Sequence, residues 1–191
     1  SYTASDIVMT TGAASAINAL MQTVLDPEDE VVAFLPCYPA YRVFVENWGA
    51  RLVEVPFDEE TMLPDLAAFE RALTPRTKLV IVNTPNNPSG LVCPAAMADG
   101  IAGALFRAQR AFGHPILLLS DEPYRELVYD GAQNPWWPAV YRNTAVVYSF
   151  SKSASIAGER IGYVALTPGM AERGALLAGI RGCLLYICLL K

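Results

Sequence analysis

Short apolar, β-branched runs alternate with longer helical patterns along the whole chain, and this alternation most restricts what it can fold into. Segments 7–10, 30–35, 51–56, 78–83, 116–120, 144–149 and 161–166 read as strands. Segments 13–25, 39–48, 65–73, 94–112 and the stretch from 168 onward read as helices. Several strands are apolar at consecutive positions, as in Leu79 to Val82 and Ile116 to Leu119, the pattern of a sheet covered on both sides. The expected fold is α/β: a doubly wound, mostly parallel seven-stranded sheet with helices on both faces. Segment 130–142, which holds Trp136, Trp137, Pro135 and Pro138, follows neither period and is expected to be an ordered surface loop.

The 191 residues suffice for one domain with a real core. Charged residues are only 17% of the chain, against a usual value of about 25%, so much of its surface is expected to lie against a sheet, another domain or a partner subunit. Its net charge of −5, without any basic cluster, gives nucleic acid no electrostatic footprint. A single histidine, His114, leaves no site that needs two imidazoles, and no metal site is expected. Cys37, Cys93, Cys183 and Cys188 form no C-x-x-C pair and read as buried thiols of a reducing, cytoplasmic compartment. Arg181 splits the apolar stretch 174–190 into runs well short of the ~20 residues of a membrane span, so a packed terminal helix is expected there.

In an open α/β sheet, ligands gather beyond the carboxyl ends of the strands, so polar residues just after strands are the candidates for chemistry. Ser149, Lys152 and Arg160 follow the strand 144–149. Desolvation beside a buried strand would make the lysine amine nucleophilic, although most lysines are simply solvated. Asp121 directly follows the strand 116–120, where a buried carboxylate needs a donor; it could also be a helix cap. Asn86 and Asn87 lie in the Pro-rich loop 83–90, an ordinary turn when taken alone. Gly12, Ala13 and Ala14 open a helix whose first N–H groups could receive an anion, or could merely be capped.

Taken in order, TTGAASAI (10–17), CYPAY (37–41), NNPSG (86–90), DEPY (121–124) and SFSKSASIAGERIG (149–162) resemble the class I and II aminotransferases, the pyridoxal-phosphate enzymes related to aspartate aminotransferase. The resemblance implies that Lys152 forms a Schiff base with pyridoxal 5'-phosphate and then acts as general acid and base. It implies that Asp121 pairs with the pyridine nitrogen, that Asn87 and Tyr124 donate to the phenolic oxygen, and that Tyr38 stacks on the ring. Gly12, Ala13, Ala14, Ser149 and Arg160 would form the phosphate site. Without these motifs, Tyr38 and Tyr124 would read as core aromatics.

The implied activity moves an amino group between an amino acid and a 2-oxo acid, in a homodimer. The whole chain 1–191 is expected to be a cofactor-binding large domain, cut at both ends and lacking the small domain, hence incomplete for turnover. A lyase, decarboxylase or synthase of the same fold could share these contacts, since substrate orientation selects the bond at Cα that breaks. A catalytically incomplete cofactor-binding or regulatory module is a further alternative. Ser149 to Lys152 also spells S-x-x-K, the acyl-transfer motif, but K-T-G is missing and Ser120-Asp121 continues into Glu122.

Overall fold

The computed structural model of the protein describes residues 1–189. The strands are β1 (Ile7–Thr10), β2 (Glu30–Phe34), β3 (Arg51–Val55), β4 (Thr77–Asn83), β5 (Leu117–Asp121), β6 (Thr144–Ser149) and β7 (Gly162–Leu166). They form one sheet in the order β1-β7-β6-β5-β4-β2-β3. Strands β2 to β6 pair in parallel, while β7 runs against both of its neighbours, β6 and β1. The helices are α1 (Gly12–Val24), α2 (Ala40–Glu46), α3 (Leu66–Ala72), α4 (Ala95–Phe112), α5 (Trp137–Val140), α6 (Phe150–Ser153) and α7 (Arg173–Leu189).

Consecutive apolar residues in the central strands serve two separate cores. Leu79 and Ile81 of β4 and Leu117 and Leu119 of β5 pack with Ile17, Leu20, Leu177 and Ile180 of α1 and α7. Val80, Val82 and Leu118 project the other way, onto Phe69 of α3 and Ile101 and Leu105 of α4. This is the doubly wound arrangement expected from the unbroken apolar runs. Helix α3 starts where the Asp65 side chain accepts from Ala68 N at 2.9 Å.

Most element ends fall within one or two residues of the sequence reading, and two segments differ by more. Segment 130–142 is not wholly a surface loop: it contains α5, and Trp137 and Tyr141 are fully buried beneath α4. Burial of two large aromatics draws the segment inward, with Tyr141 Oη donating to Ile116 O at 2.8 Å. The last helix begins at Arg173 rather than at 168, because Glu172 adopts a left-handed turn conformation (φ 53°) that a helix cannot accommodate. Helix α7 packs on α1 as the terminal helix was expected to, and no helix among the described residues is long and apolar enough to cross a membrane. The end of the apolar stretch, at 190, and residue 191 lie outside the described residues. Cys37, Cys93 and Cys183 are free thiols; the Cys188 side chain lies outside the described side chains.

The β7 strand also fixes where α1 begins. A Cβ at Gly162 would come within 2.5 Å of Tyr148 O and 2.8 Å of the Gly12 carbonyl carbon. Only glycine permits this approach, which lays the start of α1 beside the end of β6.

Candidate active site

A cleft of about 380 Å³ opens at the carboxyl ends of β4, β5 and β6, where the parallel strands deliver Asn83, Asp121 and Ser149. Ala13, Ala14, Tyr38, Asn87, Tyr124, Ser151, Lys152 and Arg160 join them in its lining, so residues scattered from 13 to 160 meet in one place. Gly12 does not line the cleft. It sits behind the wall at φ 80°, and a Cβ there would stand 2.6 Å from Arg160 Nη2. The missing side chain is what lets the guanidinium lie against the first turn of α1.

That turn contains no acidic residue, and Thr11 gives it no side-chain cap. Its N–H groups therefore present partial positive charge beside Arg160. Arg160 is held by Nη1 hydrogen bonds to Ala157 O at 3.1 Å and Ser151 Oγ at 3.4 Å. Ser149 Oγ donates to Ser151 Oγ at 2.8 Å and accepts from Ser151 N at 3.2 Å, capping the short α6. Backbone amides, two hydroxyls and a guanidinium thus make one end of the cleft receptive to an anion.

The other pole is Asp121, 5% exposed at the end of β5. Its Oδ2 accepts from Tyr41 Oη at 2.5 Å, while Oδ1 is buried without a hydrogen-bond partner among the described residues. Burial pushes the carboxyl up to about 6; the Tyr41 hydrogen bond lowers it and the Glu122 charge adds to the rise. Glu122 is occupied elsewhere, accepting from Ser120 Oγ at 2.6 Å and pairing with Arg125.

Asn83 joins the strand ends. Its Nδ2 donates to Asp121 O at 2.8 Å and its Oδ1 accepts from Asn87 N at 2.6 Å, seating the Pro-rich loop on β5. Asn87 Nδ2 then donates to Tyr124 Oη at 3.4 Å. Burial raises the Tyr124 phenol above its ordinary range, as do the charges of Asp121 and Tyr38, so it keeps its proton for donation. Tyr38 stands edge-on to Tyr41 with ring centroids 5.6 Å apart.

Lys152, on α6, places Nζ 5.9 Å from the centre of the Tyr124 ring and has no ion pair among the described residues. Its side chain is exposed, so the desolvation expected beside β6 is not provided by these residues. His114 stands outside the cleft, its ring nitrogens facing the carbonyl oxygens of Pro75 and Pro115. Ser149 Oγ turns to Ser151 rather than to a base, an arrangement that gives the S-x-x-K reading no support. The sequence reading missed Tyr41 and Asn83. Asn83 closes a strand at the start of the recognised loop, which was a usable signal; nothing local links Tyr41 to a carboxylate 80 positions away.

Fold and cleft together define an α/β domain whose cleft gathers an amine, a carboxylate oxygen without a hydrogen-bond partner among the described residues, and an anion-receptive end. Residues 1–182 match the profile of the family described as aminotransferase class I and II, and the chain belongs to that family. It is 37% identical over 162 residues to a probable aspartate/prephenate aminotransferase of Thermus aquaticus, covering 84% of this chain and 41% of that protein. It is 35% identical over 186 residues to an arginine–pyruvate transaminase of Pseudomonas aeruginosa, covering 96% of this chain and 45% of the other. The crystal structure of an amino transferase from Eubacterium rectale superposes with a TM-score of 0.95 at 39% identity, covering 98% of this chain and 47% of that one. The chain spans less than half the length of these relatives.

Proposed function

We propose that the chain is the cofactor-binding large domain of a pyridoxal-phosphate-dependent aminotransferase that moves an amino group between an amino acid and a 2-oxo acid. One observation carries this reading: Asp121, whose buried Oδ1 has no hydrogen-bond partner among the described residues, lines the same cleft as the anion-receptive end and Lys152. A cationic ring nitrogen, a phosphate and an aldehyde on one small molecule match those three groups.

Bound pyridoxal phosphate supplies an electron sink for a bond broken at the Cα of an amino acid. The chain's own residues do the rest. Ala13, Ala14, Ser149, Ser151 and Arg160 would bind the phosphate, with Arg160 giving a charge-assisted contact. Asp121 would hold the proton on the ring nitrogen, which returns a favourable partner to a carboxylate that burial otherwise penalises. Tyr124 and Asn87 would donate to the phenolic oxygen, and Tyr38 would cover the ring. Lys152 would hold the aldehyde end and, when free, carry a proton at the substrate Cα.

The names of the relatives favour transamination over the lyase, decarboxylase and synthase readings. In the whole protein we expect a homodimer, a partner for the low-charge surface on which Met9 and Ile161 stand exposed. The free thiols of Cys37, Cys93 and Cys183 support a reducing, cytoplasmic setting. Incubation with pyridoxal phosphate followed by borohydride reduction and peptide mass spectrometry tests the reading. The label should fall on Lys152; label spread equally over Lys78 and Lys152 would overturn it.

A further inference from the structure

We infer that Tyr148 is a positioning residue for Lys152, its hydroxyl tying the turn that carries the lysine to the segment that carries Tyr124. This rests on the assignment of Lys152 given above, and it concerns the face of the sheet away from the cleft. Ser149 lines the cleft, so its predecessor Tyr148 projects from the opposite face. There Tyr148 is 6% exposed, stacked on its cross-strand partner Tyr163 at 5.2 Å and met edge-on by Phe150 at 5.2 Å. Packing on two sides leaves its ring little freedom.

The Tyr148 oxygen lies 2.9 Å from Glu126 Oε1 and 2.6 Å from Ser153 Oγ. A phenol carries one proton and a carboxylate only accepts, so the order of donation is fixed. Ser153 donates to Tyr148, and Tyr148 donates to Glu126. Burial raises the Tyr148 phenol above its ordinary range, which keeps that proton in place. Ser153 directly follows Lys152, and Glu126 is two residues after Tyr124. The hydroxyl therefore holds both ends of the Lys152–Tyr124 approach from behind the cleft.

The need for such a tie is visible in α6. Helix α6 has four residues, and the hydrogen bonds that close it are long, 3.2 Å from Ala154 N to Phe150 O and 3.4 Å from Ser155 N to Lys152 O. Ser149 caps its start from the cleft side, whereas Tyr148 secures its end. A helix this short does not hold itself.

Tyr148→Phe removes the tie and keeps the stacking, with no change to any group lining the cleft. In the cofactor-free chain, amide hydrogen exchange over 152–155 should quicken about five-fold, the scale of one net hydrogen bond, with β6 and β7 unchanged. At saturating pyridoxal phosphate, the rate of borohydride-trapped labelling at Lys152 should fall by a similar factor. Ser153→Ala should reproduce both effects and add nothing to the Tyr148→Phe chain. Unchanged exchange at 152–155, or equal loosening of β6 and β7, would overturn the tie. Faster exchange with an unchanged labelling rate would overturn the positioning role. A parent chain that never labels at Lys152 would instead sink the functional reading, while exchange alone would still decide whether Tyr148 holds the turn.

Discussion

The Tyr41 hydroxyl, carried by α2, donates to the Asp121 carboxylate at the end of β5 across 2.5 Å, with both residues buried. This single bond stabilises the charged form of a carboxyl that burial would otherwise neutralise. Tyr41→Phe should therefore move the Asp121 titration above its midpoint of about 6, as read from the carboxyl carbon resonance. Loss of a hydrogen bond to a charged group should also weaken pyridoxal phosphate retention by about ten-fold or more. An unmoved midpoint would contradict the bond.

Asp121 also makes stability depend on pH. Its folded midpoint of about 6 lies above the ordinary aspartate value of 3.8, so the folded cofactor-free chain binds the proton more tightly than the unfolded chain. The stabilisation is complete below about 3.8 and is lost as pH rises through about 6. Asp121→Asn removes that loss. In urea unfolding the variant should exceed the parent by about 2–3 kcal/mol at neutral pH, and by far less near pH 4. Parallel profiles for the two chains would refute this.

Gly12→Ala should damage the anion end specifically. The added Cβ meets Arg160 Nη2 at 2.6 Å and the backbone stands at φ 80°, so the guanidinium must retreat. A stability cost of about 1–2 kcal/mol is expected. Titration should show weaker binding of pyridoxal phosphate with little change for pyridoxal, which lacks the phosphate. Equal losses for both would point to general unfolding of the cleft.

Lys152→Ala should abolish the borohydride-fixed label. Because the side chain is exposed, thermal unfolding should shift by no more than about 0.5 kcal/mol in stability. A large shift would mean that the lysine has a structural task.

The sheet was legible because a period-two pattern that becomes continuously apolar has few other solutions, and every predicted strand is present. The segment holding Trp137 was not, since burial of an aromatic in a Pro-containing stretch depends on what α4 leaves uncovered. At the cleft, motif residues directly after strands could be named from order alone. Asn83 carried a local signal as the strand end before the Pro-rich loop, but Tyr41 and the Tyr148–Glu126 link did not, because their partners are far off in sequence and meet them only after folding. Exposure is the ordinary fate of a lysine and was weighed for Lys152 against desolvation beside the buried strand; the open side of α6 decides for exposure.

The antiparallel β7 has a consequence for when the cleft can exist. It is the strip between β1 and β6, and through Gly162 it abuts the start of α1. During synthesis on the ribosome, the turn at residues 12–14 emerges early, but Ser149, Ser151 and Arg160, which face it across the cleft, and Gly162, which seats it, emerge about 140 residues later. The anion-receptive end of the cleft is thus assembled only after both of its distant halves have been made.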